Sequence, residues 1–132
     1  MLNGHEHEPR LTLERFYDLA MAARPADIDA ALAGFPASAR IRSPIAIGLR
    51  AMKAVTAGDL PGGLALLKRS VERCDGRVQQ YLIELLVPLL VSTHQIDSAR
   101  EALAAVDDSV PDLAPAFAAL RAIVAARQGD DS

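Results

Sequence analysis

A chain of 132 residues with a formal net charge of −3 fits one domain and has no general electrostatic drive toward nucleic acid. Its 51% hydrophobic content is mostly Ala and Leu, with 4% aromatic residues and no Trp, which favours packed helices over strands. The single cysteine, Cys74, excludes an intramolecular disulfide and a multi-cysteine metal site, and no apolar run is long enough to span a membrane.

Residues 1–10 contain acidic side chains and no apolar core of a signal peptide, so they read as a flexible acidic leader, with the cytoplasm as the default location. His5 and His7 alternate with Glu6 and Glu8 there, but nothing fixes the geometry that a structural or catalytic zinc site needs. No metal or cofactor is therefore expected. The first helix begins after Thr12, a partial N-cap, and turns Phe16, Leu19 and Ala20 inward. Pro25 starts a second helix with Ile28, Leu32 and Phe35 on one side, interrupted at Pro36.

Ser43-Pro44 is the next start signal, a cap followed by proline in the first turn. The helix from Pro44 to Ala57 presents Ile47, Ala51 and Ala54, and Gly58 ends it. A partner helix starting within Asp59 to Gly63 carries Leu60, Leu64, Leu67 and Val71. Gly62 and Gly63 each lower its intrinsic stability by roughly 1 kcal/mol relative to Ala, a cost that makes sense where two helices approach too closely for a side chain.

The run Tyr81 to Val91 is apolar nearly all round and predicts a central, covered helix. Pro88 inside it predicts a kink within one element. After a break at Ser92 to Gln95, a helix from Asp97 to Val106 turns Ile96, Ala99 and Leu103 inward, and Asp107-Asp108-Ser109 with Pro111 ends it. The last helix, Leu113 to Arg127, carries Phe117, Leu120, Ile123 and Val124. These elements divide a single domain, residues 11–129, into segments 11–42, 43–76 and 77–111 and a final helix over 113–128, followed by a tail at 130–132.

The pairs Arg24-Pro25, Gly58-Asp59, His94-Gln95 and Gly129-Asp130 each follow an apolar-periodic segment, at intervals of 34, 36 and 35 residues. Such regularity is the signature of a helical-repeat scaffold, in which stacking makes the core and leaves an extended surface for another polypeptide. The expected fold is all-α, with seven helices arranged as three hairpins and a terminal helix. Leu64, Leu67, Ile83, Val87, Leu90, Leu103 and Phe117 are expected in its core.

The pattern resembles the tetratricopeptide repeat, whose unit of about 34 residues places small residues where its two helices cross and a glycine between them. Ala51, Ala54, Gly58, Leu67 and Ser70 fall on such positions, as do Val87, Leu90, His94, Ala99, Leu103 and Val106, then Ala122, Ala125 and Gly129. The sequence departs from the family where His94 replaces the turn glycine, Gly63 the usual alanine, and Arg50 and Arg121 a leucine. A narrower resemblance, to the small chaperones of needle subunits in type III secretion, rests on size, on Gly58-Asp59 and on Ser109-Val-Pro-Asp-Leu113 leading to Phe117.

The family resemblance implies antiparallel hairpins stacked as a short right-handed solenoid with a concave binding face. It would place Leu11, Glu14 and Asp18, then Ile45, Met52 and Val55, then Tyr81, Glu84, Pro88, Val91 and Ile123 on the inner surface. Of these, Ile45, Met52, Val55, Tyr81, Glu84, Val91 and Ile123 form the expected partner-binding strip, suited to the apolar face of a helix because Met adapts its shape and Tyr offers a polar edge. Core packing is the competing reading for each. The function expected is protein binding without catalysis, either as a secretion-type chaperone or adaptor or as a homo-oligomerisation domain.

Other chemistry finds little footing in the sequence. Cys74 beside Asp75 is no catalytic dyad, and no Ser/His/Asp arrangement is marked. The segment Gly58 to Gly63 lacks the strand and the Lys-Ser/Thr pair of a phosphate-binding loop. Residues 40–77 carry eight basic against three acidic side chains, whereas 78–132 carry three against eight, so charge is polarised along the chain. Arg69, Arg73 and Arg77 would form a phosphate-facing stripe if one helix carried all three. With no aromatic platform for bases, nucleic acid is the lesser alternative.

Overall fold

Three of the four left-handed residues among those described recur at a near-constant interval: Ala23 at φ 51°, Gly58 at φ 93° and His94 at φ 62°, the fourth being Gly76 at the start of a helix. The three lie 35 and 36 residues apart, each just beyond the C-terminus of a helix. The computed structural model describes residues 13–107 and 110–130, and among these the chain is all α-helical with no strand. The helices are α1 (Leu13–Ala22), α2 (Pro25–Ala33), α3 (Ala37–Arg42), α4 (Pro44–Thr56), α5 (Leu60–Glu72), α6 (Gly76–Ser92), α7 (Ile96–Ala104) and α8 (Ala114–Asp130). A 3₁₀ turn, Pro111–Leu113, leads into α8.

The turns after α4 and α6 share one hydrogen-bond pattern. In the first, Asp59 N donates to Ala54 O (2.9 Å), Gly58 N to Val55 O (3.0 Å) and Ala57 N to Lys53 O (3.0 Å). Shifted by 36 residues, Gln95 N donates to Leu90 O (2.8 Å), His94 N to Val91 O (3.0 Å) and Thr93 N to Leu89 O (3.1 Å). This is a left-handed helix stop that satisfies the last carbonyls of a helix. Glycine enters that conformation freely, whereas a residue with a Cβ pays about 1 kcal/mol or more. His94→Gly is therefore expected to raise stability by roughly 0.5–1 kcal/mol, and Gly58→Ala to lower it by about 1 kcal/mol. Urea denaturation of both variants checks the opposite signs.

The chain divides into two compact units, the first ending at Cys74 and the second starting at Asp75. In the first, α4 and α5 form its most extensive helix pair, and α1, α2 and α3 pack on α4. Ser43 starts α4 as expected, its side chain accepting from Ala46 N. Asp59 does the same for α5 through Gly62 N. Gly63 lies at the crossing: a Cβ built there would sit 2.5 Å from Val55 Cγ2 and 2.7 Å from Ala51 O. At the far end of the pair, fully buried Ser70 donates its hydroxyl to Pro44 O at 2.9 Å.

Two features of this unit differ from the sequence expectation. The segment between Pro36 and Ser43 forms α3, so eight helices are present among the described residues where seven were expected. None of the α3 residues is buried, so the helix lacks the apolar periodicity by which it could be read. Its anchorage is polar instead: Arg40 Nε donates to Leu32 O (3.0 Å) and Phe35 O (3.1 Å), carbonyls at the end of α2. The second difference is that α5 ends at Glu72, and Arg77 lies on α6. No single helix therefore carries Arg69, Arg73 and Arg77 as one stripe.

In the second unit α6 is buried without interruption from Gln80 to Val87 and again at Leu90 and Val91, whereas Pro88 is exposed and Leu89 half-buried, so the run expected to be covered all round is open at that point. The helix runs through Pro88 as one element. It packs on α7 and α8, and α7 on α8. Buried Gln80 ties the segment after α7 inward, its Oε1 accepting from Asp107 N at 3.2 Å. The seven expected core residues, Leu64 and Leu67 in the first unit and Ile83, Val87, Leu90, Leu103 and Phe117 in the second, are all buried.

Candidate functional site

The residues expected to meet a partner fall into three environments. On α4, Ile45, Met52 and Val55 are half-buried, and Val55 is also the side chain against which Gly63 packs. On α6, Tyr81, Glu84 and Val91 are 2%, 6% and 8% exposed, which sets them among packed side chains. On α8, Ile123 is 44% exposed. Pro88, Glu14 and Asp18 are exposed. Leu11, Thr12, His5 and His7 lie outside the described residues, as do Asp108 and Ser109.

A second surface, which the sequence did not mark, is a groove of about 750 Å³ in the first unit. Four helices line it. From α2 come Asp29 and Leu32, and from α3 Ala37, Arg40 and Ile41. From α4 come Arg50, Lys53 and Ala54, and from α5 Leu66. A smaller hollow of about 330 Å³ shares Ile41, Arg50 and Leu66 and extends the groove past Ile47 to Arg69 and Arg73. The floor is apolar, and Ile41 is 68% exposed above it.

The charges round this groove are unbalanced. Among the described residues, Arg40, Arg50, Lys53, Arg69 and Arg73 border it, against Asp29 alone. Lys53 Nζ lies 2.5 Å from Asp29 Oδ1 and so joins α4 to α2 as an ion pair. The four arginines remain, and among the described residues no carboxylate lies within ion-pair distance of Arg50, Arg69 or Arg73. Arg50 Nη1 donates to Arg40 O at 3.3 Å, so two arginines hold α3 in place by backbone contacts. Both residues are exposed, and each guanidinium carries more donors than these bonds use.

In the second unit a hollow of about 270 Å³ lies between α7 and α8, lined by Leu103, Ala104, Val124 and Ala125 with Arg100 and Arg121 at its edge. Arg100 is 3.6 Å from Asp97 on its own helix, so this smaller hollow is less cationic than the groove. Among the described residues no group of three or more His, Cys, Asp or Glu side chains could hold a metal ion. No helix among them is long and apolar enough to cross a membrane.

Compared with protein-family models, with curated proteins and with solved structures, the chain matches none. Two surfaces of the first unit carry the functional features, the Met52 face of α4 and the cationic groove. The Met52 face follows from the resemblance to the tetratricopeptide repeat, not from apolar spacing along the helix. Sequence reasoning missed the groove because residues 29 to 73 contribute to it from four helices, although the excess of basic side chains over residues 40–77 was its one visible trace.

Proposed function

We propose that the chain is a non-enzymatic protein-interaction module of the cytoplasm, built on tetratricopeptide-like hairpins, that binds an apolar helical segment of a partner protein. The observation that carries this reading is the half-exposed apolar face of α4, where Ile45 and Met52 lie seven residues apart on one side of the helix with Val55 beside them. Side chains at that spacing meet a partner helix as successive knobs, and thioether flexibility lets Met52 adapt to its shape. The turn geometry repeated after α4 and α6 supports the repeat reading. An adaptor and a secretion-type chaperone would use this face in the same way.

Met52→Glu tests the assignment, because a carboxylate forced into an apolar contact is costly unless it gains a partner. The partner segment is recovered by pulldown and titrated calorimetrically against both proteins. Saturable binding that weakens about tenfold or more in a folded Met52→Glu variant supports the face. Unchanged affinity refutes it. Homo-oligomerisation is a second reading, favoured by the exposed Met21, Ile41 and Ile123. Under that reading, sedimentation gives a concentration-dependent dimer that Met52→Glu dissociates, and no heterologous segment is recovered.

A further inference from the structure

We infer that the groove bordered by α2, α3, α4 and α5 is a docking site for an acidic amphipathic helix of a partner protein. The inference rests on the protein-binding reading above but assigns a different surface and names the partner's chemistry. Its floor, formed by Leu32, Ala54 and Leu66 with exposed Ile41 above it, removes a ligand's apolar side chains from water. Its borders place Arg40, Arg50, Arg69 and Arg73 around that floor. The chain as a whole carries a net charge of −3, so this concentration of cations is local and opposes the global sign. A ligand apolar along one side and carboxylate-bearing along the flanks complements both features, and guanidinium groups pair with carboxylates in a directional, bidentate manner.

The helical register sets the size of the occupant. Ile47, Arg50 and Ala54 follow one another on α4 at spacings of three and four, and Leu66, Arg69 and Arg73 do the same along α5 and its C-cap. Each stripe covers seven residue-to-residue steps, about 10 Å at the helical rise, which matches about two turns of a bound helix. The larger part of the groove is more open than enclosed and thus would leave much of a small molecule in water, whereas ligand pockets enclose most of theirs. Single-stranded nucleic acid fits less well, because no aromatic side chain lines the floor to stack on bases. Arg50 stands where the repeat pattern has a leucine. The substitution replaces a packed apolar side chain by a cation that both holds α3, through Arg40 O, and borders the groove.

The test is a display selection on the whole chain from a library of amphipathic helical peptides of roughly 18 residues, about five turns, with apolar positions fixed and flanking positions randomised. Anisotropy titrations of the selected peptides follow, against the native chain, an Arg69→Glu/Arg73→Glu variant and Met52→Glu. Arg69 and Arg73 are exposed, so their replacement leaves the core intact, which circular dichroism verifies. The expected result is enrichment of Asp and Glu at the flanks and binding that weakens about tenfold or more in the double variant. It also weakens with added salt and is unaffected by Met52→Glu. Binders that respond to Met52→Glu but not to the arginine changes would overturn the groove assignment and leave the protein-binding reading standing. Selection of no binder would overturn both. Oligothymidylate or laurate bound more tightly than the best peptide, and lost in the same double variant, would overturn the peptide in favour of that ligand. Sedimentation showing a dimer of the native chain that the double variant abolishes would assign the groove to a second copy.

Discussion

Leu90→Ala is expected to lower the unfolding free energy by about 2–5 kcal/mol, the range of large-to-small changes at well-packed leucines. Leu90 is 1% exposed on α6, and its neighbours Val87 and Val91 are buried with it. The transfer term alone, about 0.8 kcal/mol for each methylene-sized group removed, accounts for roughly the lower bound. Rigid surroundings that cannot close the void supply the rest. The site also has little freedom to shift, because Leu90 O accepts from Gln95 N in the left-handed turn and from Thr93 Oγ1. Denaturant titration by circular dichroism measures the loss. A change under about 0.5 kcal/mol, the scale of surface substitutions, would contradict the packing described for α6.

The repeat relation sharpens that expectation. A shift of 36 residues superposes the turn of Leu90 on that of Ala54, yet Ala54 is half-buried beside the groove. One backbone position thus serves as a core knob in α6 and as part of a groove floor in α4. The difference follows from side-chain volume and from what packs opposite, neither of which a repeat period specifies.

What could be read from the sequence follows the same division. Ser43-Pro44, Asp59 and Gly58 act through neighbours within a few residues, so their capping and turn roles were visible locally. Phe16, Ile28, Leu67 and Phe117 each belong to an apolar series at helical spacing within their own helix, and periodicity places them inside. The α3 helix was hidden because it buries no side chain and is held by Arg40 on carbonyls five and eight residues away. The left-handed Ala23 was hidden because alanine gives no signal for positive φ. The cationic groove depends on side chains brought together from separate helices. Spacing within any one of them predicts only a solvated face, and the helix break after Glu72 removed the longer arginine stripe that spacing alone suggested.

Gly63 carries the second large prediction, and its neighbour Gly62 supplies the control. Both are glycines in the first turn of α5, where replacement by alanine improves helix propensity by about 1 kcal/mol. At Gly62 the atoms in the way belong to the Asp59 carboxyl group, the far end of a side chain that can rotate. The cost there is the N-cap hydrogen bond, about 1 kcal/mol, so Gly62→Ala is expected to be nearly neutral. At Gly63 the obstacles are Val55 Cγ2 and Ala51 O, 2.5 and 2.7 Å from a Cβ, and the second is backbone of the packed helix α4. Relieving that overlap requires α4 and α5 to separate, which also pulls on the Ser70 to Pro44 hydrogen bond. Overpacking of this kind costs about 1–3 kcal/mol for a small addition, more than the propensity gain. A valine adds two methyl groups with a restricted rotamer, so Gly63→Val is expected to destabilise by about 3 kcal/mol or more. Thermal denaturation of Gly62→Ala, Gly63→Ala and Gly63→Val should rank them in that order of increasing loss. If Gly63→Val melted with the native chain, the close approach of α4 and α5, and with it the geometry that sets the groove between their outer faces, would be wrong.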